Sequence, residues 1–244
     1  MTPSEIHIES TDTDPAVRAR SSLHRTQQGL LDRLATLTEA VPGDAEAGES
    51  VHAALTAFCA GELRRYLRAG DRTLYATASG AAETRLLVRA LRTTTGVLDQ
   101  DIDRLSAAGD APSALVLARA VEAVLRAHLA VERGVLLPAL AGLPGADLPA
   151  LVGDLYTLLA GGTLEEPAVV DVREIPHGRR HPRIFARFAR LAPGESFTLV
   201  NNHDPKPLRR EFQAAHPDAF TWEYVESGPE RWQIRIGRPA GAGV

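Results

Sequence analysis

The stretch 161-GGTLEEPAVV-170 decides the fold, because the spacing of apolar residues differs on its two sides. Gly161 and Gly162 end a helical pattern, and Pro167 precedes segments that read as strands and short helices. Upstream, four long segments carry apolar residues at helical spacing with few breakers. The first, about 16–41, has Leu23, Leu30, Leu34 and Leu37 on one stripe. The second, about 49–77, turns Val51, Leu55, Phe58 and Leu63 inward. The third, about 81–106, is striped by Leu87, Leu91, Leu98, Ile102 and Leu105. The fourth, about 112–140, is striped by Leu117, Val121, Val124, Leu125, Val135 and Leu136. Asp110 and Pro112 stand where an N-cap and a first-turn proline belong. A shorter helix spans about 147–160. Long helices with short connections predict an antiparallel four-helix bundle whose apolar faces meet in the middle.

Downstream the pieces are short. "AVVDVREI" (168–175) reads as a strand, "HPRIFARFARL" (181–191) as a helix, "FTLVNN" (197–202) as a strand and "PKPLRREFQAA" (205–215) as a helix. "TWEYVES" (221–227) and "ERWQIRIG" (230–237) alternate cleanly around a Gly-Pro turn and read as a hairpin. The order βαβαββ predicts a small α+β two-layer sandwich with both helices on one sheet face. The expected layout is two-domain: a tail at 1–15, an all-α bundle at 16–162, a linker at 163–167, the βαβαββ domain at 168–238 and a tail at 239–244.

The chain has 244 residues, 44% of them hydrophobic, enough to bury a sizeable core without crosslinks. Cys59 is the only cysteine, so no internal disulfide forms. No apolar run approaches the roughly 18 residues of a membrane helix, and "MTPSEIHIESTDTDP" lacks the basic start of a signal peptide. A cytoplasmic chain without membrane contact is the expectation. The net charge of −4 is uneven: residues 168–238 carry 12 basic and 9 acidic side chains, the remainder 15 and 22. That split is too modest for a nucleic-acid footprint, though it suits two units with different surfaces. No nucleophile–base arrangement, phosphate loop or dinucleotide fingerprint is present, and "GAAETR" lacks the needed spacing. A non-catalytic role follows.

Within the fourth helix, "AHLAVERG" (127–134) puts His128 and Glu132 one turn apart, on the face that carries Leu125 and Leu136. Together with the helix layout, this resembles the hemerythrin-like family over about residues 16–160. That family builds a di-iron centre from one His of helix 1, an H-x-x-x-E of helix 2, one His of helix 3 and an H-x-x-x-E of helix 4. "HLAVERGVLLP" keeps the fourth-helix pattern, and His24 in "SLHRTQQGLL" matches the first-helix histidine. In "ELRRYLRAGDRTLY" the matching positions hold Tyr66 and Gly70, and the third-helix histidine falls in Thr93–Thr95, aligned on Thr95. The resemblance thus implies His24, His128 and Glu132 as metal ligands, with Tyr66 as a phenolate donor to a trivalent metal. Two His and a carboxylate suit one iron or another divalent metal rather than a di-iron pair. Glu62 and Asp71 are further oxygen donors nearby. Alternatively, a buried His–Glu pair satisfied by hydrogen bonds needs no metal at all, and leaves Gly70 and the threonines beside another ligand or beside Tyr66 itself. His7 and His52 read as surface residues, and Cys59 as a buried, inert thiol.

The second half, about 168–238, resembles a small domain of unknown function that is appended to hemerythrin-like and cupin domains in bacteria. The resemblance rests on "RHPRIF", "LVNNHDPKPL" and "WEYVESGPERW". Its fold is similar to that of small sulfur-carrier proteins, which hold a catalytic Cys between strand 1 and helix 1. Here that segment reads "PHGRRHP", and no thiol is present to carry a persulfide. A right-handed crossover makes the first two strands parallel and starts both helices at one sheet edge. That gathers Arg179, Arg180, His181, His203 and Asp204 into a candidate anion-binding corner at two helix N-termini. A metal on His181, His203 and Asp204, or plain capping by Asp204–Pro205 and His181–Pro182, are the alternatives. Trp222, Tyr224 and Trp232 read as core or groove-lining residues rather than a nucleic-acid platform. The combined expectation is a module that senses or handles iron, oxygen or nitric oxide and relays its state to a protein partner or small ligand. A metal-free binding or scaffold protein and a mononuclear-metal redox enzyme stand beside it.

Overall fold

The computed structural model describes residues 14–39, 45–164 and 168–240. His7, Pro167 and most of the expected tails lie outside these. The first part is helix-rich. Helix α1 spans Pro15–Glu39. The second expected helix runs unbroken but changes pitch: α2 (Ala45–Ala57), a π-helical stretch Phe58–Leu63, α3 (Arg64–Gly70), a second π stretch Asp71–Tyr75, and α4 (Ala76–Ser79). Then come α5 (Ala82–Ser106) and α6 (Ala111–Val131), the latter continued by a π stretch Glu132–Leu136 and α7 (Leu137–Gly142). Helix α8 spans Leu148–Leu159. The Asp110 carboxylate accepts from Ser113 N at 2.7 Å and caps α6, and Asp147 does the same for Ala150 N at 3.1 Å on α8. The apolar stripes, except for Val135, which is exposed, meet in one core, where Leu23, Leu34, Leu63, Leu98, Ile102, Leu125 and Leu155 are buried together.

A small mixed sheet follows. Strand β1 (Val169–Asp171) is shorter than expected, because a 3-10 turn at Val172–Glu174 takes over. The Asp171 carboxylate accepts from Arg173 N at 3.0 Å and starts that turn. Next come α9 (Arg180–Ala189), β2 (Ser196–Asn201), α10 (Lys206–Ala215), β3 (Thr221–Ser227) and β4 (Trp232–Gly237). The sheet order is β1-β2-β4-β3, with β1 and β2 parallel and the other pairs antiparallel. Phe185 and Phe188 of α9 and Phe212 of α10 pack with Phe197, Leu199, Ile234 and Ile236 of the sheet. Trp222, Tyr224 and Trp232 are half-buried at the margin of this core. No helix among the described residues is long and apolar enough to cross a membrane.

The helix-rich part and the sheet part touch through α4 and α9. Gly80, just after α4, makes this approach possible: a Cβ there would stand 3.2 Å from the Phe185 ring and 3.3 Å from the His181 backbone. Arg190, at the C-terminal end of α9, pairs with Asp154 of α8, and Arg72 Nη2 donates to the Arg190 carbonyl at 3.3 Å. Gly145 forms a second close approach. Its φ is +84°, and a Cβ would lie 2.7 Å from the Arg179 Cα. Gly145→Ala therefore combines a left-handed backbone with a clash against main chain, and is expected to cost about 2 kcal/mol in urea unfolding. A loss under about 0.5 kcal/mol would show that Arg179 simply moves aside.

Candidate functional site

His128 and Glu132 sit on successive turns at the junction of α6 with its π stretch, and both side chains are buried. Four neighbours converge on them. Glu132 Oε2 accepts from Gln27 Nε2 and from the Tyr66 hydroxyl, each at 2.8 Å. Glu132 Oε1 accepts from the Tyr75 hydroxyl. That same hydroxyl lies 2.7 Å from His128 Nε2, and Thr94 Oγ1 lies 2.6 Å from His128 Nδ1. The result is a continuous chain of hydrogen bonds from Thr94 through His128, Tyr75 and Glu132 to Tyr66 and Gln27. Burial, and then the charge of Glu132, push both phenols well above the usual tyrosine range, so each keeps its proton and donates.

Local geometry explains which residues arrive. Tyr66 and Tyr75 are nine positions apart, and at roughly 100° per residue an unbroken α-helix would set them on opposite faces. The π stretch Asp71–Tyr75 holds an extra residue in its turn and brings Tyr75 round to the side of Tyr66. Gly70 faces the carboxylate, its would-be Cβ 3.9 Å from Glu132 Oε1.

The expected ligand set does not assemble. His24 is exposed, with Arg133 Nη1 2.9 Å from its Nδ1. It stands one position off the buried stripe Leu23, Gln27, Leu30, Leu34, and Gln27 takes the place reserved for it. Thr94 rather than Thr95 reaches His128; Thr95 bonds the Leu91 carbonyl instead at 3.1 Å. Glu62 pairs with Arg33 at 2.7 Å and Asp71 with Arg92 at 2.6 Å, both away from the cluster. Among the described residues no three His, Cys, Asp or Glu side chains converge as metal ligands would. The Tyr75 hydroxyl holds the position between His128 Nε2 and Glu132 Oε1 that a metal shared by them would need. These residues do not fit a di-iron centre. Sequence reasoning missed Gln27 and Tyr75: the stripe signalled the first, and nothing in the helical period signalled the second. An apolar groove of about 400 Å³ lies between α5 and α6 and reaches Thr94 and His128 from outside. His52 is half-buried and bonds the Leu105 carbonyl at 3.0 Å. Cys59 is fully buried, and burial pushes its thiol up to about 12, which keeps it protonated and inert.

A second site opens in the sheet part. Because β1 and β2 run parallel, α9 and α10 both begin beyond their carboxyl ends, where ligands of such folds bind. A pocket of about 230 Å³ lies there, lined by His177, Arg180, His181, Asn201 and His203 over an apolar floor of Val172, Ile184, Leu199 and Leu208. His181 Nδ1 is 3.0 Å from Glu211 Oε2, which orients the ring, and Arg180 Nε donates to the Ile175 carbonyl at 2.9 Å. His203 Nδ1 is 2.7 Å from Asn202 Oδ1. Of the five expected corner residues, Arg180, His181 and His203 line the pocket. Arg179 lies instead against Gly145, and Asp204 accepts from the Tyr224 hydroxyl at 2.9 Å. Neither α9 nor α10 has a side-chain cap, so the capping alternative is not realised. His177 and Asn201 are the lining residues that the motif reading passed over.

No curated protein and no solved structure matches the chain. No hemerythrin-like family model matches the helical part. Residues 169–238 match the family model described as "Uncharacterized conserved protein (DUF2249)", and this part of the chain is a small mixed sheet with helices, similar to that small α+β domain of unknown function.

Proposed function

We propose that the helical part is a hemerythrin-like antiparallel four-helix bundle in which hydrogen bonds replace the metal centre, and that the chain is a non-catalytic binding protein whose C-terminal pocket takes a small organic anion. The observation that carries the first half is the Tyr75 hydroxyl, which bonds Glu132 Oε1 and lies 2.7 Å from His128 Nε2. With Gln27 and Tyr66 on the other carboxylate oxygen, the Glu132 acceptors are occupied by protein donors. The anion reading of the pocket is supported by Arg180, three histidines and two helix N-termini around an apolar floor. One continuous element joins the two sites: Tyr75 leads directly into α4, and α4 packs on α9, which carries Arg180 and His181. Ligand binding and the state of the bundle thus share a path to a partner.

The test is a sulfate and acetate titration of the full chain, followed at the ring resonances of His181 and His203. Both are expected to shift saturably at millimolar anion, and Arg180→Gln should abolish the response. Rings that stay still at millimolar sulfate and acetate would return the pocket to a structural role.

A second reading rests on the composition of the buried cluster. His128, Glu132, Tyr66 and Tyr75 together offer one imidazole, one carboxylate and two phenols within hydrogen-bonding distance of one another. Ferric iron bound by the carboxylate and two phenolates would be neutral as a whole, which a buried site favours. The expected sensing or handling of iron, oxygen or nitric oxide, and a mononuclear redox chemistry, would rest on this site. Loading with ferric citrate tells the readings apart. One iron per chain with a visible phenolate band lost in Tyr75→Phe supports the ferric site. No bound iron after loading leaves the metal-free bundle.

A further inference from the structure

We propose a second anion site, on the helical part and independent of the C-terminal pocket: the groove between α3 and the end of α8 binds a small molecule that carries at least two linked phosphates. Four arginines, Arg64, Arg65, Arg68 and Arg72, line this groove of about 340 Å³, and among the described residues no carboxylate lines it. Their spacing puts them on one helix face, over a floor opened by Ala60, Gly61 and Ala69, with Leu158 and Gly162 as the opposite wall.

The arginines divide into anchored and free. Arg64 is held from behind, its Nε 2.9 Å from Asp99 and its Nη2 2.6 Å from Asp103. Arg72 is held at the other end by the Arg190 carbonyl. Arg65 and Arg68 are exposed and make no hydrogen bond or ion pair with the described residues. This arrangement stands on a chain of net charge −4, whose part outside 168–238 holds 22 acidic against 15 basic residues. Like charges three and four positions apart on a helix repel, and a chain so rich in carboxylates had every means to intersperse them. Nearly every basic residue here is Arg, with Lys206 the only lysine, so the argument rests on placement rather than residue type. From Arg64 to Arg72 the helix rises about 12 Å. One phosphate engages one or two guanidinium forks; a row of this length matches an extended anion with successive charged groups.

Inorganic tripolyphosphate and inorganic phosphate are the probes, titrated into the full chain by calorimetry at low ionic strength. One equivalent of tripolyphosphate is expected to bind, at least about tenfold tighter than phosphate and weakening steeply with added salt. The Arg65→Gln/Arg68→Gln double variant, both positions exposed and so harmless to folding, should lose about tenfold or more. Arg89→Gln/Arg119→Gln removes the same charge from exposed sites elsewhere and should change affinity by less than about twofold. The His181 and His203 resonances report the other pocket in the same titration. Tripolyphosphate binding no tighter than phosphate, or equally weakened by both double variants, would overturn the assignment.

Discussion

Glu132→Ala is expected to destabilise the protein by about 3–5 kcal/mol, among the largest effects of any single substitution in the helical part. The reason is what the change strands. Gln27, Tyr66 and Tyr75 all aim donors at this carboxylate, in a place that water does not reach. Their geometry is fixed by helices that cannot move apart cheaply, so the freed donors stay buried and unpaired, at about 1–3 kcal/mol each where no second acceptor is near. Tyr66 keeps its bond from Gln27 at 2.8 Å and Tyr75 keeps His128, which holds the total below the full sum. Tyr75→Phe removes one donor and is expected to cost about 1–2 kcal/mol. Replacing the set together, with Gln27→Leu, Tyr66→Phe, Tyr75→Phe, His128→Leu and Glu132→Leu, should recover most of the loss, since Thr94 keeps the Leu91 carbonyl and the apolar core leaves no member of the network unpaired. Urea unfolding of the three variants measures this. A cost near zero for Glu132→Ala would mean that the donors find other partners and that the network does not hold the helices in register.

The two parts of the chain differ in how readily they were read, and the difference has physical causes. Each long helix and each strand of the hairpin emerged where its period placed it, because burial on one face leaves a repeating mark in the sequence. The site did not, for two reasons. His24 matched a motif while Leu23, Leu30 and Leu34 already defined a stripe that excludes position 24 and includes Gln27. There the pattern in the residues was better evidence than the resemblance. Tyr75 is a different case. Its place depends on the π stretch Asp71–Tyr75, and a change of pitch inside a helix alters the facing of every later residue without any breaker to announce it. In the sheet part, Asp204–Pro205 had the composition of a helix start, yet Tyr224 from β3, distant in sequence, takes the carboxylate. Contacts of that kind are set by the tertiary fold, which local sequence does not encode.

The contact between the two parts sets the other large expectation, a loss of stability as pH falls from about 6.5 towards 4. His216 packs on Phe185 and Phe188, with ring centroids 5.9 Å and 4.9 Å away, and its Nε2 is buried with no hydrogen-bond partner among the described residues. Burial, and then Arg92 and Arg238, bring its pKa down from 6.5 to about 4, with Arg85 adding to the effect and Asp71 opposing it. The folded state therefore binds the proton less readily than the unfolded chain, which takes it up near the ordinary value of about 6.5. Between these limits the unfolded state holds more protons, so stability rises with pH. The contribution is complete above about 6.5 and is lost progressively down to about 4, up to roughly 3 kcal/mol in all. Because Arg85 and Arg92 belong to α5 and His216 directly follows α10, the added charge falls on the contact between the helical part and the sheet part. His216→Phe keeps the aromatic stack and cannot be protonated. Urea unfolding at several pH values should give a steeper fall below pH 6.5 for the natural chain than for this variant, the carboxylates being common to both. Parallel curves for the two proteins would show that His216 reaches solvent, or a partner of its own, once protonated.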